Sequence, residues 1–159
     1  CIVPVTAPAG TPTLTESTIG SAATPCYYAA AFADTSNTAH LEWSHPLPDD
    51  YNGGTVTFSV SYNPPTGSGT VIWGVKAVAL GDNVAMATAF GTAVTVTDTI
   101  QTTTNNHTTP MSSALTIAGT PAAKKPCHWY IYRDVSDTCT ATDVQLTGIE
   151  VTYTRNLHQ

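Results

Sequence analysis

In residues 55–62, TVTFSVSY, apolar Val56, Phe58, Val60 and Tyr62 alternate with polar Thr55, Thr57, Ser59 and Ser61. Side chains of an extended chain point to opposite faces in turn, so this alternation describes a strand with one face in a core and one in water. The same period returns in TAVTVTDT, SALTIAG, CHWYIYRD and DVQLTGIEVTYT. Between these runs lie segments such as NPPTGSG, where consecutive prolines cannot donate to a ladder and glycines permit a reversal. Helix signals are nearly absent. The most helix-like piece, YYAAAFAD at residues 27–34, is short and uncapped, and its aromatics suit a strand equally well.

The pattern therefore predicts an all-β fold: an antiparallel β-sandwich, jelly-roll-like, with about eight to ten strands. Two details sharpen it. TVIWGVKAVAL is apolar on nearly both faces, with Val71, Trp73, Val75 and Ala77 on one and Ile72, Gly74, Lys76 and Val78 on the other, which predicts a central strand. In the last strand Val144 and Leu146 share one phase, whereas Ile149, Val151 and Tyr153 hold the opposite one, so a β-bulge is expected at Gly148.

At 159 residues the chain has the length of one domain. Residues 26–159 form the expected sandwich. Residues 1–25 are rich in Pro, Thr and Ala and read as an extended arm with a strand at residues 13–19. Such an arm either lies across its own sheet or adds a strand to the exposed edge of a neighbour.

Only 10% of residues are charged, with five Lys plus Arg against eleven Asp plus Glu and a net charge of −6. Nucleic acid is therefore not an expected partner, because phosphate binding needs clustered cations. No apolar run reaches the length of a membrane-spanning helix. Four cysteines, Cys1, Cys26, Cys127 and Cys139, lack CxxC spacing and fit disulfides in an oxidising compartment. The favoured pairings are Cys127 with Cys139, closing a loop, and Cys1 with Cys26; Cys1 has a lipid anchor or an intersubunit bridge as alternatives. Asn106-His107-Thr108 is a glycosylation sequon.

Sites for chemistry are few. Asp49 and Asp50 stand side by side in HPLPDDYNGG, but neighbouring carboxylates in a turn point apart, and Asp and Asn there serve local backbone amides. Asp134, Asp137 and Asp143 offer oxygens to calcium without the glycine and glutamate of an EF-hand, so no cofactor is expected. His40, His45, His107, His128 and His158 form no compact ligand set, and neither GxSxG, a Walker loop nor GxGxxG is present. A catalytic role is not expected. Trp43, Trp73, Trp129, Tyr130 and Tyr132 are candidates for a sugar-stacking surface. Trp129 lies on the face opposite Tyr130 and Tyr132, so one face belongs to the core and the other is available to an interface or ligand.

The order of the pieces adds one thing. LEWSHPLPDDYNGG, an alternating strand, a turn, a strand carrying VIWGV, VTVTDT, and a closing YIYRDVSDTCTATDVQLTGIEVTY together resemble a β-domain of bacteriophage tail-fibre or particle-surface structural proteins and of uncharacterised environmental relatives. The resemblance spans about residues 41–154 and implies a jelly-roll-like sandwich with a structural role and no catalytic residues. The Pro/Thr arm and the cysteines depart from that pattern and favour a secreted, disulfide-stabilised relative. The expectation is thus a secreted or virion-surface subunit that assembles with itself through its arm. The alternative is a module binding cell-surface glycans.

Overall fold

The computed structural model describes residues 13–18, 26–33 and 39–155. The expected Cys1–Cys26 bridge and His158 lie outside that description. Ten strands follow one another: β1 Thr13–Thr18, β2 Cys26–Ala33, β3 His40–Pro46, β4 Tyr51–Asn63, β5 Thr70–Ala79, β6 Val94–Thr99, β7 His107–Thr108, β8 Ala118–Gly119, β9 Pro126–Arg133 and β10 Asp143–Arg155. No helix of the described chain is long and apolar enough to cross a membrane.

Two sheets pack face to face. One has the order β1-β2-β10-β4-β7 and the other β3-β9-β5-β6, with β8 running parallel to β5 beyond the end of β6. All other pairings are antiparallel. The result is the all-β antiparallel sandwich that the alternation predicts.

The core is built from the predicted phases. Val56, Phe58, Val60 and Tyr62 of β4 are at most 2% exposed, and Val71, Trp73, Val75 and Ala77 of β5 are fully buried. β5 is central, flanked by β9 and β6, so it has little polar face to spare. The bulge falls where expected: between Leu146 and Gly148 the register of β10 against β4 shifts by one residue. That extra residue carries Val144 and Leu146 into the core before the change, and Ile149, Val151 and Tyr153 against it afterwards. β1 pairs along its length with β2 of the same chain, so this part of the arm lies across its own sheet.

Two expectations are corrected. Cys127 and Cys139 are both buried, and no disulfide joins them. Cys127 sits opposite Ala79, at the end of β5, whereas Thr138 and Thr140 beside Cys139 bond Thr70 and Ser68 at its start. The length of β5, about 30 Å at 3.3 Å per residue, separates them, against the less than about 7 Å that a disulfide allows between Cα atoms. Residues close in sequence are here returned to opposite ends of the sheet by β9.

The second correction concerns Asp50. It serves no local amide; instead it accepts the Tyr153 hydroxyl at 2.7 Å and lies 3.8 Å from the Arg155 guanidinium. Asn52 does play the local part, its Oδ1 accepting the Gly54 amide at 2.9 Å. PDDYNGG is therefore a turn that also clips β4's start to β10's end.

Candidate functional site

Alternation along β3 and β9 sorts their side chains cleanly. Leu41, Cys127, Trp129 and Ile131 face inward, while His40, Glu42, Tyr130 and Tyr132 face out. Strand register then assembles two rows across the outer face. Glu42, Tyr130 and Lys76 stand directly opposite one another in one, and His40, Tyr132, Gly74 and Thr95 in the next.

The rings in these rows touch. His40 stacks on Tyr130 with centroids 4.3 Å apart and planes 13° from parallel, and Tyr132 meets Tyr130 edge to face at 6.0 Å. Phe90, from the β5–β6 connection, closes against Tyr130 at 5.6 Å. The Lys76 ammonium lies over both rings, 4.0 Å from the Tyr130 centroid and 5.3 Å from that of Phe90. An arrangement of that kind contributes on the order of 0.5–1 kcal/mol at an exposed site and holds the ring in place. Glu42 lies 3.6 Å from His40 Nε2.

Gly74 is what allows Tyr132 its position. A Cβ built there would collide with Cε1, Cζ and the hydroxyl of Tyr132. The phenol therefore lies across the glycine, and its remaining half-buried surface is turned away from the strand. Burial raises the pKa values of both tyrosines, assisted at Tyr130 by Glu42 and at Tyr132 by Asp134. Both hydroxyls remain hydrogen-bond donors at neutral pH.

A different feature opens where the sheets part, between β3 and the far half of β10. Trp43 and Trp129 are cross-strand partners whose rings stack at 6.0 Å and 12°. With Val56, Ile149, Val151 and Tyr153 they line an apolar cleft of about 240 Å³.

The other sequence candidates are occupied with structure. Asp137 holds the buried Arg133 through both carboxylate oxygens, at 3.0 and 3.3 Å, and Asp134 caps the Ser136 amide. Asp143 sits at the start of β10. Among the described residues no group of three His, Cys, Asp or Glu side chains converges as a metal site would need. His107 stacks on Tyr62 and donates Nε2–H to Thr102 O; His45 donates Nδ1–H to Pro46 O. Asn106 is exposed, its Oδ1 accepting the Thr147 hydroxyl at 3.0 Å.

Of the five aromatic candidates, Trp73 and Trp129 are core, Trp43 lines the cleft, and Tyr130 and Tyr132 alone reach the outer face. His40, Lys76 and Phe90 complete the platform. The alternation in HLEW and the outward phase of Lys76 contained the first two. Phe90 carries no such signal, because it reaches the face from a connection anchored by the Gly91 amide on Ala77 O.

Burial pushes the Cys127 thiol from its ordinary 9.0 to about 12. Its folded form keeps the proton that the unfolded form loses above 9, so stability is full below that pH and falls between pH 9 and 12. The tyrosines Tyr51, Tyr62, Tyr130 and Tyr132, all raised chiefly by burial, act in the same direction. We expect the urea midpoint to decline above pH 9, and native Cys127 to resist alkylation at pH 8 until denaturant is added. Rapid modification of the native thiol would contradict this placement.

No protein-family model and no curated protein matches the chain. Two solved structures are similar. One, titled "CBM4 structure and function", is 19% identical with a TM-score of 0.41 over 92% of this chain and 81% of that one. The other is the enzymatically active domain of tailspike protein 4 of bacteriophage CBA120, 7% identical with a TM-score of 0.41 over 92% of this chain and 18% of that one. At these identities and scores the likenesses say nothing of what this chain binds.

Proposed function

We propose that this chain is an extracellular, non-enzymatic module that binds glycans on the outer face of the β3-β9-β5-β6 sheet. The observation that carries this reading is the pair of cross-strand rows in which Tyr132 lies on Gly74 beside Tyr130, ringed by Glu42, His40 and Lys76. A sugar presents an apolar C–H face and a rim of hydroxyls. The outward face of the Tyr132 ring suits the first, while a carboxylate, an imidazole, an ammonium and two phenolic donors suit the second. Few charges elsewhere on the chain compete for such a neutral ligand.

The test is titration of the purified chain against an oligosaccharide panel, followed by calorimetry on any ligand found. Tyr132→Ala is expected to weaken binding about tenfold or more, corresponding to roughly 1.4 kcal/mol of lost ring contact. Gly74→Ala is the sharper probe. The atoms nearest the new methyl are the far end of the Tyr132 side chain and not backbone, so the ring is expected to swing off its seat with a stability change within about 1 kcal/mol, while affinity falls as in Tyr132→Ala. No binding across the panel, or unchanged affinity in both variants, would sink the reading.

A further inference from the structure

We infer that the cleft and the edge of β10 beside it accept residues 1–12 of a second copy of this chain as an added strand. The inference stands apart from glycan binding and uses the other side of the molecule. β10 is paired on both sides only at its start: β2 accompanies Asp143, Val144, Gln145 and Leu146, and no further. Past the bulge at Leu146/Gly148, β10 keeps β4 on one side, and among the described residues no strand pairs with its other side. Residues 149–155 therefore present a row of backbone donors and acceptors, about 23 Å long at 3.3 Å per residue.

The side chains along that row are those of a sheet interior left uncovered. Ile149, Val151 and Tyr153 are only partly buried yet pack against the core, as does Trp43 across the gap. The cleft lined by Trp43, Trp129, Val56, Ile149, Val151 and Tyr153 opens between them. A second hollow, also about 240 Å³, runs beside Val151, Thr152, Tyr153 and Arg155 on the same strand. Such an edge is either shielded or used, because an open edge beside apolar surface pairs with whatever strand is available.

The chain itself carries a segment of the right kind. Residues 1–12, CIVPVTAPAGTP, hold no charge and extend to at most about 40 Å, more than the edge requires. Val3 and Val5 fall on one side of an extended strand, directed at the cleft.

Direction selects a second copy over the same one. Thr13 lies level with Ala31 and hence with Gln145, and β1 runs from there towards the level of the cleft. Traced backwards from Thr13, the chain leaves β1 heading away from the open edge. A neighbour placed end to end receives it without reversal, so one subunit's segment fills the next subunit's missing strand.

The experiment uses the full chain and two variants, in reductant so that Cys1 forms no crosslink, with mass read by analytical ultracentrifugation and folding by circular dichroism. Val3→Asp with Val5→Asp spoils the inserted segment, and Val151→Asp spoils the cleft. The wild type is expected to form oligomers that grow with concentration, and each variant to be a folded monomer. An equimolar mixture of the two variants should give a dimer, since the intact segment of one fits the intact cleft of the other. Should Val151→Asp fail to fold, Val151→Pro takes its place, removing an edge donor: its partner Phe58 turns its amide and carbonyl to Ser112, so the Val151 backbone groups face the open side. A monomeric wild type, a mixture that stays monomeric, or variants that assemble as the wild type does would overturn the inference. Glycan affinity is expected to be the same in the wild type and in Val3→Asp with Val5→Asp, so failure of either proposal leaves the other standing.

Discussion

Replacing Arg133 by alanine is expected to destabilise the protein by about 3–5 kcal/mol, enough to unfold a domain of ordinary stability near room temperature. Arg133 ends the inward-facing series of β9 and is 1% exposed, as is the Asp137 side chain it holds. Its Nε and one terminal nitrogen grip both Asp137 oxygens, while the other terminal nitrogen donates to Phe32 O and Ala141 O. One guanidinium thus joins β2, β9 and the connection to β10. Asp137 in turn accepts the Cys139 amide at 3.0 Å, fixing that connection against Ser68 and Thr70.

The large cost comes from what alanine leaves behind, a buried carboxylate without its cation and two carbonyls without their donor. Removing both members should therefore cost less than the sum of the single changes. Urea unfolding of Arg133→Ala, Asp137→Ala and the double variant checks this. Strict additivity would show that the pair is not coupled.

The second large effect is expected at Trp73. Its indole is fully buried, meeting Phe32 edge to face at 5.1 Å and Tyr62 at 6.1 Å, so that β2, β4 and β5 converge on one side chain. Trp73→Ala should cost about 3–5 kcal/mol through lost burial and a cavity that three strands cannot collapse into. Trp73→Phe should cost far less than its loss of volume suggests. Trp73 Nε1 is buried with no hydrogen-bond partner, and phenylalanine removes that unsatisfied donor, returning about 1–3 kcal/mol against the smaller void. Denaturant midpoints for the two variants decide it; equal destabilisation would mean that the indole N–H is satisfied in solution.

How much of this was legible in the sequence follows from which interactions are periodic. β4, β5, β9 and the bulge in β10 were readable because burial on one face writes itself into every second residue. That Trp129 lies on the face opposite Tyr130 and Tyr132 came with the same reading, but which of the two faces is the outer one did not. The buried ion pair did not: Arg133 lies in phase with Trp129 and Ile131, where a charge suggests the end of a strand, and Asp137 looks like a loop carboxylate until Arg133 is seen to need it. The disulfide expectation failed for a related reason. Proximity in sequence was taken for proximity in space, although a strand as long as β9 carries its ends apart.

By itself the sequence determined that this chain forms strands, which faces of them are apolar, and where the last one slips its phase, since these depend on each residue's own hydrophobicity and on the twofold repeat of an extended backbone. Only the tertiary structure decided which strands stand side by side. That choice sets Gly74 opposite Tyr132, brings Lys76 over Tyr130, and lets β2 leave β10 at the bulge so that an edge and a cleft remain open. Register and strand order arise from packing two sheets over one core, a property of the whole chain that no local pattern contains.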